Sequence, residues 1–335
     1  MTTTLLPPAD ESKARLNALF RPIAAELAAS ERVFREALAS EHAFVQEVVD
    51  HASGLCGKRL RPALLFLCAR ASGRVTPDHA VLAAVVEMIH VATLIHDDIL
   101  DDSVIRRHAA TINAAWGNES AVLLGDYLFT HAFHLAATLE STHACRLIGR
   151  ATNRVCEGEM LQVHHRGNLC LDEQAYLRII RGKTAELLAV SCRLGAQYSG
   201  ASERVVDSLE TYGRELGVAF QIADDVIDLL GEENVSGKTL GTDVEKQKLT
   251  LPLIRLLSTS SPATANDARG LIRQHDPEAR AALRVLIEGS DALSYSWEVA
   301  SRSIAAALDA LEAVPPSESR ETLAQAARFV VRRPF

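Results

Sequence analysis

Apolar residues recur at positions i, i+3, i+4 and i+7 along most of this chain, which is the spacing that places them on one face of an α-helix. The longest such stretches cover residues 80–100, 120–139, 172–194 and 202–230. Convincing alternation of apolar and polar residues, which would mark β-strands, is absent from the sequence. The pattern therefore predicts an all-α fold in which ten or more helices pack as one bundle-like domain.

The composition is that of a globular chain with material for a large core, since 48% of its 335 residues are hydrophobic and 23% are charged. This length alone would suggest two domains. No linker divides the chain, so we expect a single domain over residues 1–335, with a disordered N-terminus at residues 1–10. The net charge of −8 argues against nucleic acid as the main partner, because a phosphate backbone binds a basic face.

The sequence carries no signal for export or membrane insertion. Its six cysteines are scattered without a C-x-x-C pair, which favours reduced thiols in an intracellular protein. The N-terminus does not read as a signal peptide, and no run of about 18 uncharged apolar residues marks a membrane-spanning helix. We therefore expect a cytoplasmic protein without a transmembrane segment.

One acidic motif occurs twice. Residues 95–101 read IHDDILD and residues 222–228 read IADDVID, each after an apolar helical stretch. Aspartates three or four residues apart share a helix face, where like charges destabilise the helix by about 0.2–0.5 kcal/mol per pair. Two such clusters facing each other would repel strongly unless a cation lay between them. The carboxylates concerned are Asp97, Asp98, Asp101, Asp224, Asp225 and Asp228.

The cation that these clusters suggest is Mg²⁺. Aspartate oxygens are hard ligands, and no set of cysteines and histidines accompanies them, which disfavours zinc. Mg²⁺ is normally held by one or two carboxylates, several waters and the phosphates of a substrate. The two motifs therefore suggest Mg²⁺ ions that clamp a diphosphate, and the alternative interpretation is a pair of solvated acidic helix ends.

Cationic residues suited to a diphosphate lie in four separate segments, GKRLRP, VIRRHAAT, RGKTAEL and SGKTLGTDVEKQKLTLPL. Any one of them could be ordinary surface charge. Their number beside the aspartates favours a function, because arginine forks suit bidentate phosphate contact. The residues are Lys58, Arg59, Arg61, Arg106, Arg107, Lys183, Lys238 and Lys248.

Together with LIHDDILD and QIADDVID, these segments appear in the order found in trans-isoprenyl diphosphate synthases (polyprenyl synthetases), which the chain resembles from about residue 50 to 255. The resemblance implies the isoprenoid synthase fold, with helices around a central cavity, and a homodimer. It also implies a Mg²⁺-dependent trans-prenyltransferase that condenses isopentenyl diphosphate with an allylic diphosphate and meets a membrane only peripherally, at product release.

The resemblance assigns roles to single residues. The six aspartates match the family's Mg²⁺ ligands, and Asp97, Asp98, Asp101, Lys183, Asp224, Asp225 and Lys238 are the expected catalytic residues. The residues that match the allylic diphosphate site are Arg106, Lys183, Thr184, Gln221, Lys238 and Lys248. Those that match the isopentenyl diphosphate site are Gly57, Lys58, Arg61, His90 and Arg107.

Two histidines near the first motif are interpreted differently. His90 lies seven residues before Asp97 and hence on the same helix face, whereas His96 is only its neighbour and is expected to be structural.

Two loops depart from the family pattern. His108 and Ala110 stand where glycine and proline are frequent, and Gln247 stands where glycine is usual, so the loop shapes rather than the charges are in question.

Product length is predicted from the residues before the first motif. Short-chain members of the family often carry an aromatic ring five positions before it, but here that position is Ala92, followed by Thr93. Phe129 and Phe133, four residues apart on the next predicted helix, could form a deeper floor or simply pack in the core. The open position implies a medium-to-long product of about C30–C45, as in octaprenyl diphosphate synthases.

Three alternatives remain open at this stage. A class I terpene cyclase is disfavoured by the second D-D-x-x-D motif and by GKRLRP, which supplies a second diphosphate site. A non-catalytic subunit of a heteromeric synthase would usually have lost one or both motifs. A shorter-chain synthase, making geranylgeranyl or farnesyl diphosphate, differs only in the length of its product.

Overall fold

The computed structural model describes residues 18–55, 57, 59–107, 109–230, 242–274 and 276–331. Helices dominate these ranges, so the prediction of an all-α fold with ten or more helices is confirmed. The helices of the first half are α1 (Ala24–Ala37), α2 (Ala43–Gly54), α3 (Leu60–Ser72), α4 (Pro77–Leu100), α5 (Ile112–Ala137) and α6 (His143–His164).

The second half continues the same architecture. Its helices are α7 (Glu173–Ile180), α8 (Glu186–Tyr198), α9 (Glu203–Leu230), α10 (Thr242–Glu245), α11 (Leu251–Thr259), α12 (Pro262–Ile272), α13 (Pro277–Glu288), α14 (Ala292–Ala310) and α15 (Glu318–Val330). The segment Arg181–Ala185 is a single turn of π-helix between α7 and α8. Short 3₁₀ turns cover Arg21–Ile23 and Leu311–Ala313.

Helices α4 and α9, which carry the two acidic motifs, form the centre of the bundle. α4 packs mainly on α5, and α9 packs mainly on α8 and α14. By length and composition α4 alone among the described helices could cross a membrane, but 67% of its apolar window is buried inside the protein. Its apolar side chains therefore serve the core. The core is one cluster from Phe20 to Val330, and the single domain over 1–335 stays a prediction.

Both ends of α4 are fixed by local interactions. Thr76 and His79 form a reciprocal capping box at its N-terminus, and the Nε2 atom of His79 lies 3.1 Å from the carbonyl oxygen of Gly195 on α8. The helix ends after Leu100, and Asp102 adopts a φ of +47° that no helix continues through. The first acidic motif thus occupies the C-terminal turn of a buried helix.

A small β-hairpin follows α4, although the sequence predicted no strands. Two-residue strands pair antiparallel, with Ile105 opposite Ala110 and Arg106 opposite Ala109. They are too short to produce a visible alternation in the sequence. Arg107 adopts a φ of +53° at the turn, as two-residue hairpin turns require. The replaced glycine and proline of this loop therefore leave a tight turn in place; His108 itself lies outside the described residues.

Candidate active site

Asp98 of the first motif is paired with Arg106 of the hairpin. The Nε and Nη2 atoms of Arg106 donate to the carboxylate over 2.7–3.0 Å in a bidentate arrangement. Asp98 is only 3% exposed. Burial raises the pKa of this carboxyl, and the guanidinium of Arg106 opposes that rise. The pair fixes the hairpin against the end of α4.

Asp101, at the end of the same motif, is surrounded by cations from two other parts of the chain. Its Oδ2 atom lies 2.7 Å from Nζ of Lys248 and 3.7 Å from Nζ of Lys246, and its Oδ1 atom lies 3.1 Å from Nη2 of Arg166. Burial would raise its pKa, but Lys248 and the other lysines outweigh burial, so the pKa is lowered. Asp101 is therefore ionised.

Lys183 reaches Asp97 from the π-helical turn. Its Nζ atom lies 3.3 Å from Oδ2 of Asp97 and 2.5 Å from Oε2 of Glu159 on α6. Burial would lower its pKa, but the two carboxylates outweigh burial and raise it, so the lysine is charged. Glu159 belongs to this site and was missed from the sequence; its pKa is raised by burial and by Asp97.

The π-helical turn that carries Lys183 and Thr184 depends on a close approach of α6. A Cβ atom built on Gly158 of α6 would lie 2.4 Å from the backbone nitrogen of Lys183. No side chain larger than hydrogen therefore fits there without displacing the backbone of the turn. Insertions of this kind into helices frequently occur at functional sites.

Asp225 of the second motif points into the protein and not towards solvent. Its Oδ2 atom accepts a 2.6 Å hydrogen bond from the hydroxyl of Tyr176, and its Oδ1 atom accepts a 2.7 Å bond from the amide of Gln221. Gln221 in turn accepts a 2.7 Å bond from the hydroxyl of Thr184. Burial and the nearby Asp243 raise the pKa of Asp225 well above its usual value. Tyr176 was not singled out from the sequence.

Asp224 and Asp228 are partly buried and lie four residues apart on α9. The Oδ2 atom of Asp228 accepts a 3.0 Å hydrogen bond from the backbone of Asp243. Burial and Asp228 raise the pKa of Asp243 to about 7, and Asp101 adds to the rise while Lys248 opposes it. Asp243 thus lies within electrostatic range of both motifs, as expected if the motifs face one site.

Gln247 takes over the conformation of the glycine that is usual at its position. Its φ is +54°, in the left-handed region that glycine adopts without strain. Its carbonyl oxygen accepts a 2.9 Å hydrogen bond from the backbone of Gly167. The loop therefore keeps a left-handed turn, and Lys248 still reaches Asp101.

The residues assigned to isopentenyl diphosphate form a second basic cluster. Arg107 donates a 2.8 Å hydrogen bond to the carbonyl of Leu55. A Cβ atom on Gly57 would lie 1.9 Å from the Nη2 atom of Arg107, so the absence of a side chain at Gly57 lets this guanidinium pass. Lys58 and Lys238 lie outside the described residues, and their assigned roles stay predictions.

A buried glutamate faces this basic cluster. Glu87 of α4 is 3% exposed, and Arg61 is its main electrostatic partner. Burial lowers the pKa of Arg61 to about 10, which leaves it charged, and Glu87 opposes the change. The pKa of His90 is well below its usual value because of burial and three nearby arginines, Arg61 first among them, so this imidazole is neutral. Glu87 was also missed from the sequence.

The chain-length residues lie on the buried side of α4 and on α5. Ala92 is 0% exposed, and the hydroxyl of Thr93 donates 2.8 Å to the carbonyl of His90. Phe129 packs against His96, whose Nε2 atom lies 3.2 Å from the carbonyl of Val122, so the structure places His96 in a packing role. Phe133 is partly buried against the core. Their effect on product length stays a prediction.

A cavity of about 110 Å³ lies beside the second motif. It brings residues of the π-helical turn together with residues of α9 and of the loop after α10. Among its lining residues are Lys183, Thr184, Gln221, Asp225, Asp243 and Lys248. Four of the residues assigned to the allylic diphosphate site, Lys183, Thr184, Gln221 and Lys248, thus meet at one place. Arg106 contacts the first motif.

The donor set fits hard divalent cations bound together with an anion. Within the described ranges, no three histidine, cysteine, aspartate or glutamate side chains already converge as a ready metal site. The carboxylates of the first motif instead contact Lys183, Arg106 and Lys248. Lys183, Arg106 and Lys248 are also the side chains suited to bind phosphate oxygens. If they turned from the aspartates to a diphosphate, the aspartates would be released to bind metal.

Comparison with known proteins identifies the class. Residues 42–288 match the family model described as polyprenyl synthetase. The chain belongs to this family, and the predicted enzyme class, a trans-prenyltransferase, is confirmed.

Several named proteins and solved structures are similar to this chain over most of its length. Heptaprenyl diphosphate synthase component 2 of Geobacillus stearothermophilus is 34% identical over 321 residues, which covers 96% of this chain and 100% of the relative. Octaprenyl diphosphate synthase of Escherichia coli is 36% identical over 280 residues, covering 83% and 86%. A crystal structure of polyprenyl synthase from Caulobacter crescentus, complexed with calcium and isoprenyl diphosphate, superposes with a TM-score of 0.90 at 36% identity, covering 95% of this chain and 98% of that one. The expected isoprenoid synthase fold is thereby confirmed.

Proposed function

We propose that the protein is a Mg²⁺-dependent synthase that condenses isopentenyl diphosphate with an allylic diphosphate, head to tail and in the trans configuration. Its product is an all-trans polyprenyl diphosphate of about C30–C45. The observation that carries the proposal is the presence of two separate cationic clusters. One cluster contacts the acidic motifs through Lys183, Lys248 and Arg106, and the other groups Arg61 and Arg107 around Glu87.

The two clusters suit the two diphosphates of a condensation. The cluster at the acidic motifs holds the allylic diphosphate, whose leaving group needs the greater neutralisation of charge. The cluster around Arg61 and Arg107 holds isopentenyl diphosphate. A terpene cyclase, which uses one diphosphate, has no need of the second cluster.

The chemistry depends on charge stabilisation. Mg²⁺, if held by the six aspartates of the two acidic motifs, would supply the Lewis acid that neutralises the leaving diphosphate. Lys183, Lys248 and Arg106 donate hydrogen bonds to its oxygens and stabilise the negative charge that develops as the allylic C–O bond breaks. The double bond of isopentenyl diphosphate attacks the allylic carbon, and the proton then lost passes to the released diphosphate.

The chain itself protects the reacting carbon. His90 is neutral and lies on the face of α4 that carries Asp97, so it adds no competing charge near the cation. Apolar side chains of α4 below this level exclude water from the allylic cation. The growing product would extend along this side of α4.

Product length and assembly are part of the proposal. The names of the relatives, heptaprenyl and octaprenyl diphosphate synthase, support seven or eight prenyl units, within C30–C45. Shorter geranylgeranyl or farnesyl products are disfavoured by the small side chain of Ala92. One relative is named as a component, but here both acidic motifs are intact, which supports a catalytic role for this chain and not that of a non-catalytic subunit. We also propose a homodimer that contacts a membrane only peripherally, at product release.

The unpaired thiols support a reducing compartment. Cys68, Cys145, Cys156, Cys170 and Cys192, the cysteines within the described ranges, are all free. We therefore place the enzyme in the cytoplasm.

The function is tested with the purified chain alone, Mg²⁺, isopentenyl diphosphate and farnesyl diphosphate, by following diphosphate release and the mass of the extracted product. We expect Asp97→Asn and Asp224→Asn to fold and to lose activity by about two to three orders of magnitude, because each removes a key electrostatic group. Asp102→Asn is the control, since Asp102 is exposed, neighbours the first motif and lies outside it. Near-normal turnover in either motif variant at saturating Mg²⁺ would refute the proposed site.

A further inference from the structure

We propose that Arg59, to which the family resemblance assigns no role, is a positioning residue for the site of isopentenyl diphosphate. Its ion pair with Glu31 of α1 holds the start of α3, so that Arg61 and Arg107 keep their places in the second basic cluster. Arg59 does not touch the substrate in this assignment and acts through the backbone that it fixes. The inference rests on the proposed function, because it concerns the site assigned there to isopentenyl diphosphate.

The first support is the ion pair itself. The Nη1 atom of Arg59 lies 2.7 Å from Oε2 of Glu31, and the two side chains are only 20% and 30% exposed. The other oxygen of Glu31 accepts a 2.5 Å hydrogen bond from Arg35, one turn further along α1. A carboxylate that is bound at both oxygens by guanidinium groups keeps one orientation. The guanidinium of Arg59 is thus directed to α1.

The second support is the backbone of Arg59. Its φ of +50° and ψ of +43° are left-handed, directly before the first residue of α3. Residues with a side chain adopt this region rarely, and such a conformation persists where the surrounding structure holds it. The carbonyl oxygen of Arg59 accepts a 3.0 Å hydrogen bond from the amide of Ala63 in the first turn of α3. The conformation of Arg59 therefore sets the direction in which the chain enters this helix.

The third support is what lies on either side of Arg59 in the chain. Two residues further on, Arg61 faces α4, where it is the main electrostatic partner of Glu87. Two residues earlier, the guanidinium of Arg107 passes Gly57 so closely that a Cβ atom there would lie 1.9 Å from its Nη2 atom. A shift of the backbone at Arg59 would therefore displace both halves of the basic cluster together.

A second ion pair between the same two helices provides a matched control. The Nε atom of Arg70 donates a 2.8 Å hydrogen bond to Oε1 of Glu26, and its Nη2 atom contacts the same oxygen. Arg70 lies about three helical turns beyond Arg59, away from the basic cluster. Glu31→Gln and Glu26→Gln therefore each remove one carboxylate charge between α1 and α3. Only Glu31→Gln removes it beside the basic cluster.

The first experiment measures steady-state kinetics with isopentenyl diphosphate and farnesyl diphosphate varied in turn. We expect Glu31→Gln to raise the KM for isopentenyl diphosphate about two- to fivefold, the effect of losing a partly exposed ion pair, with kcat and the KM for farnesyl diphosphate unchanged. Glu26→Gln should leave all three constants unchanged. If Arg59 bound the diphosphate directly, Glu31→Gln would free its guanidinium and lower the KM for isopentenyl diphosphate. A lower or unchanged KM in Glu31→Gln, or an equal rise in both variants, would overturn the inference.

Exchanging the two charges separates a positioning role from direct binding. Arg59→Glu alone should raise the KM for isopentenyl diphosphate at least as much as Glu31→Gln does. Adding Glu31→Arg restores the pair in the reverse sense and should bring the KM back to within about twofold of the wild type. A double variant as impaired as Arg59→Glu would show that the substrate needs the positive charge of Arg59 itself, contrary to the inference.

Hydrogen exchange measures the same link without substrate. The amide of Ala63 should exchange faster in Glu31→Gln than in the wild type and in Glu26→Gln, because its hydrogen bond to Arg59 opens more often. Equal protection in all three proteins would also overturn the inference. A wild-type chain that does not consume isopentenyl diphosphate would instead refute the proposed function, and the exchange of Ala63 would still decide whether the ion pair holds the start of α3.

Discussion

At the scale of single residues, the two acidic motifs are alike in structure as well as in sequence. In each motif the second aspartate is the buried one, Asp98 at 3% exposure and Asp225 at 5%. Arg106 holds Asp98, and Tyr176 with Gln221 holds Asp225. Because adjacent helical residues point in different directions, the first and second aspartates of each motif meet different neighbours.

The neutral imidazole of His90 leads to a prediction about stability and pH. Its folded-state pKa is depressed by burial and by arginines, so the unfolded chain binds a proton at His90 that the folded chain does not. Above the unfolded pKa of about 6.5, His90 is neutral in both states and the protein keeps its full free energy of unfolding. As the pH falls below about 6.5, the free energy of unfolding decreases by up to about 1.4 kcal/mol per pH unit. We expect His90→Gln to remove this component from the pH dependence of unfolding.

The measurement is urea unfolding of wild type and His90→Gln between pH 7.5 and pH 5. Their difference in unfolding free energy should change with pH in the direction that favours the variant at low pH. The exposed His134 supplies the control, and His134→Gln should follow the wild-type curve. Parallel curves for wild type and His90→Gln would contradict the neutral state of this imidazole.

The sequence singled out the aspartates and several of the cations that contact them, but it missed Glu159, Glu87 and the residues that hold these charges in place. Glu87 interrupts the apolar run of α4 three residues before His90, and a charge in such a run was a usable signal. Tyr176 lies seven residues before Lys183, where a buried tyrosine looks like ordinary core. Its role depends on Asp225, 49 residues away in the chain, and this contact is set by packing that no local pattern encodes.

At the scale of elements, the contact between α6 and the π-helical turn gives a second prediction. Gly158→Ala would place a Cβ atom 2.4 Å from the backbone nitrogen of Lys183. We expect a loss of stability of about 1–3 kcal/mol from overpacking. We also expect weaker binding of the allylic diphosphate, because Lys183 shifts with its backbone.

Gly149 on the same helix is the control. A Cβ atom there would meet only the ring of Phe133, at 3.9 Å. Gly149→Ala should therefore be neutral or slightly stabilising, since alanine favours the helix by about 1 kcal/mol over glycine. Thermal unfolding and the KM for the allylic substrate test both variants. Equal behaviour of the two alanine variants would show that the close approach at Gly158 is not required.

The sequence predicted the bounds of a helix well where tertiary packing and helix propensity favour the same bounds. The stretch 202–230 was predicted as a helix and is found as Glu203–Leu230, and 80–100 lies within Pro77–Leu100. The stretch 172–194 was predicted to be continuous, but the structure interrupts it at Arg181–Ala185. That interruption follows from the approach of α6 at Gly158, a tertiary contact. The two hairpin strands were not predicted, because a strand of two residues is too short to show an alternation of apolar and polar side chains.

At the scale of the whole molecule, we expect the space beside α4 to set the length of the product. Ala92 is 0% exposed and lies five residues before Asp97, on the buried side of the helix. We expect Ala92→Phe to fill the path of the growing chain and to shorten the product from about C30–C45 to about C15–C20, with diphosphate release maintained. Volume added in a packed interior is not readily accommodated by its neighbours.

Chromatography of the extracted products decides this prediction. Thr93→Phe, one position closer to the motif, is the second variant to measure if Ala92→Phe does not fold. Farnesyl diphosphate as the terminal product of the wild type, or an unchanged length in Ala92→Phe, would show that the chain grows along another path.

The ion pairs of the first motif have a consequence for how the enzyme fills and empties. Asp97, Asp98 and Asp101 each contact a cationic side chain, Lys183, Arg106 and Lys248 respectively. In the proposed function, binding of metal and diphosphate is therefore an exchange of partners, in which the lysines and the arginine turn to phosphate as the aspartates turn to metal. Neither Mg²⁺ nor diphosphate alone would complete this exchange, so we expect the two to bind and to leave together. We expect the cations to return to the aspartates when the diphosphate leaves, so that the protein's own side chains balance the charge of the emptied site.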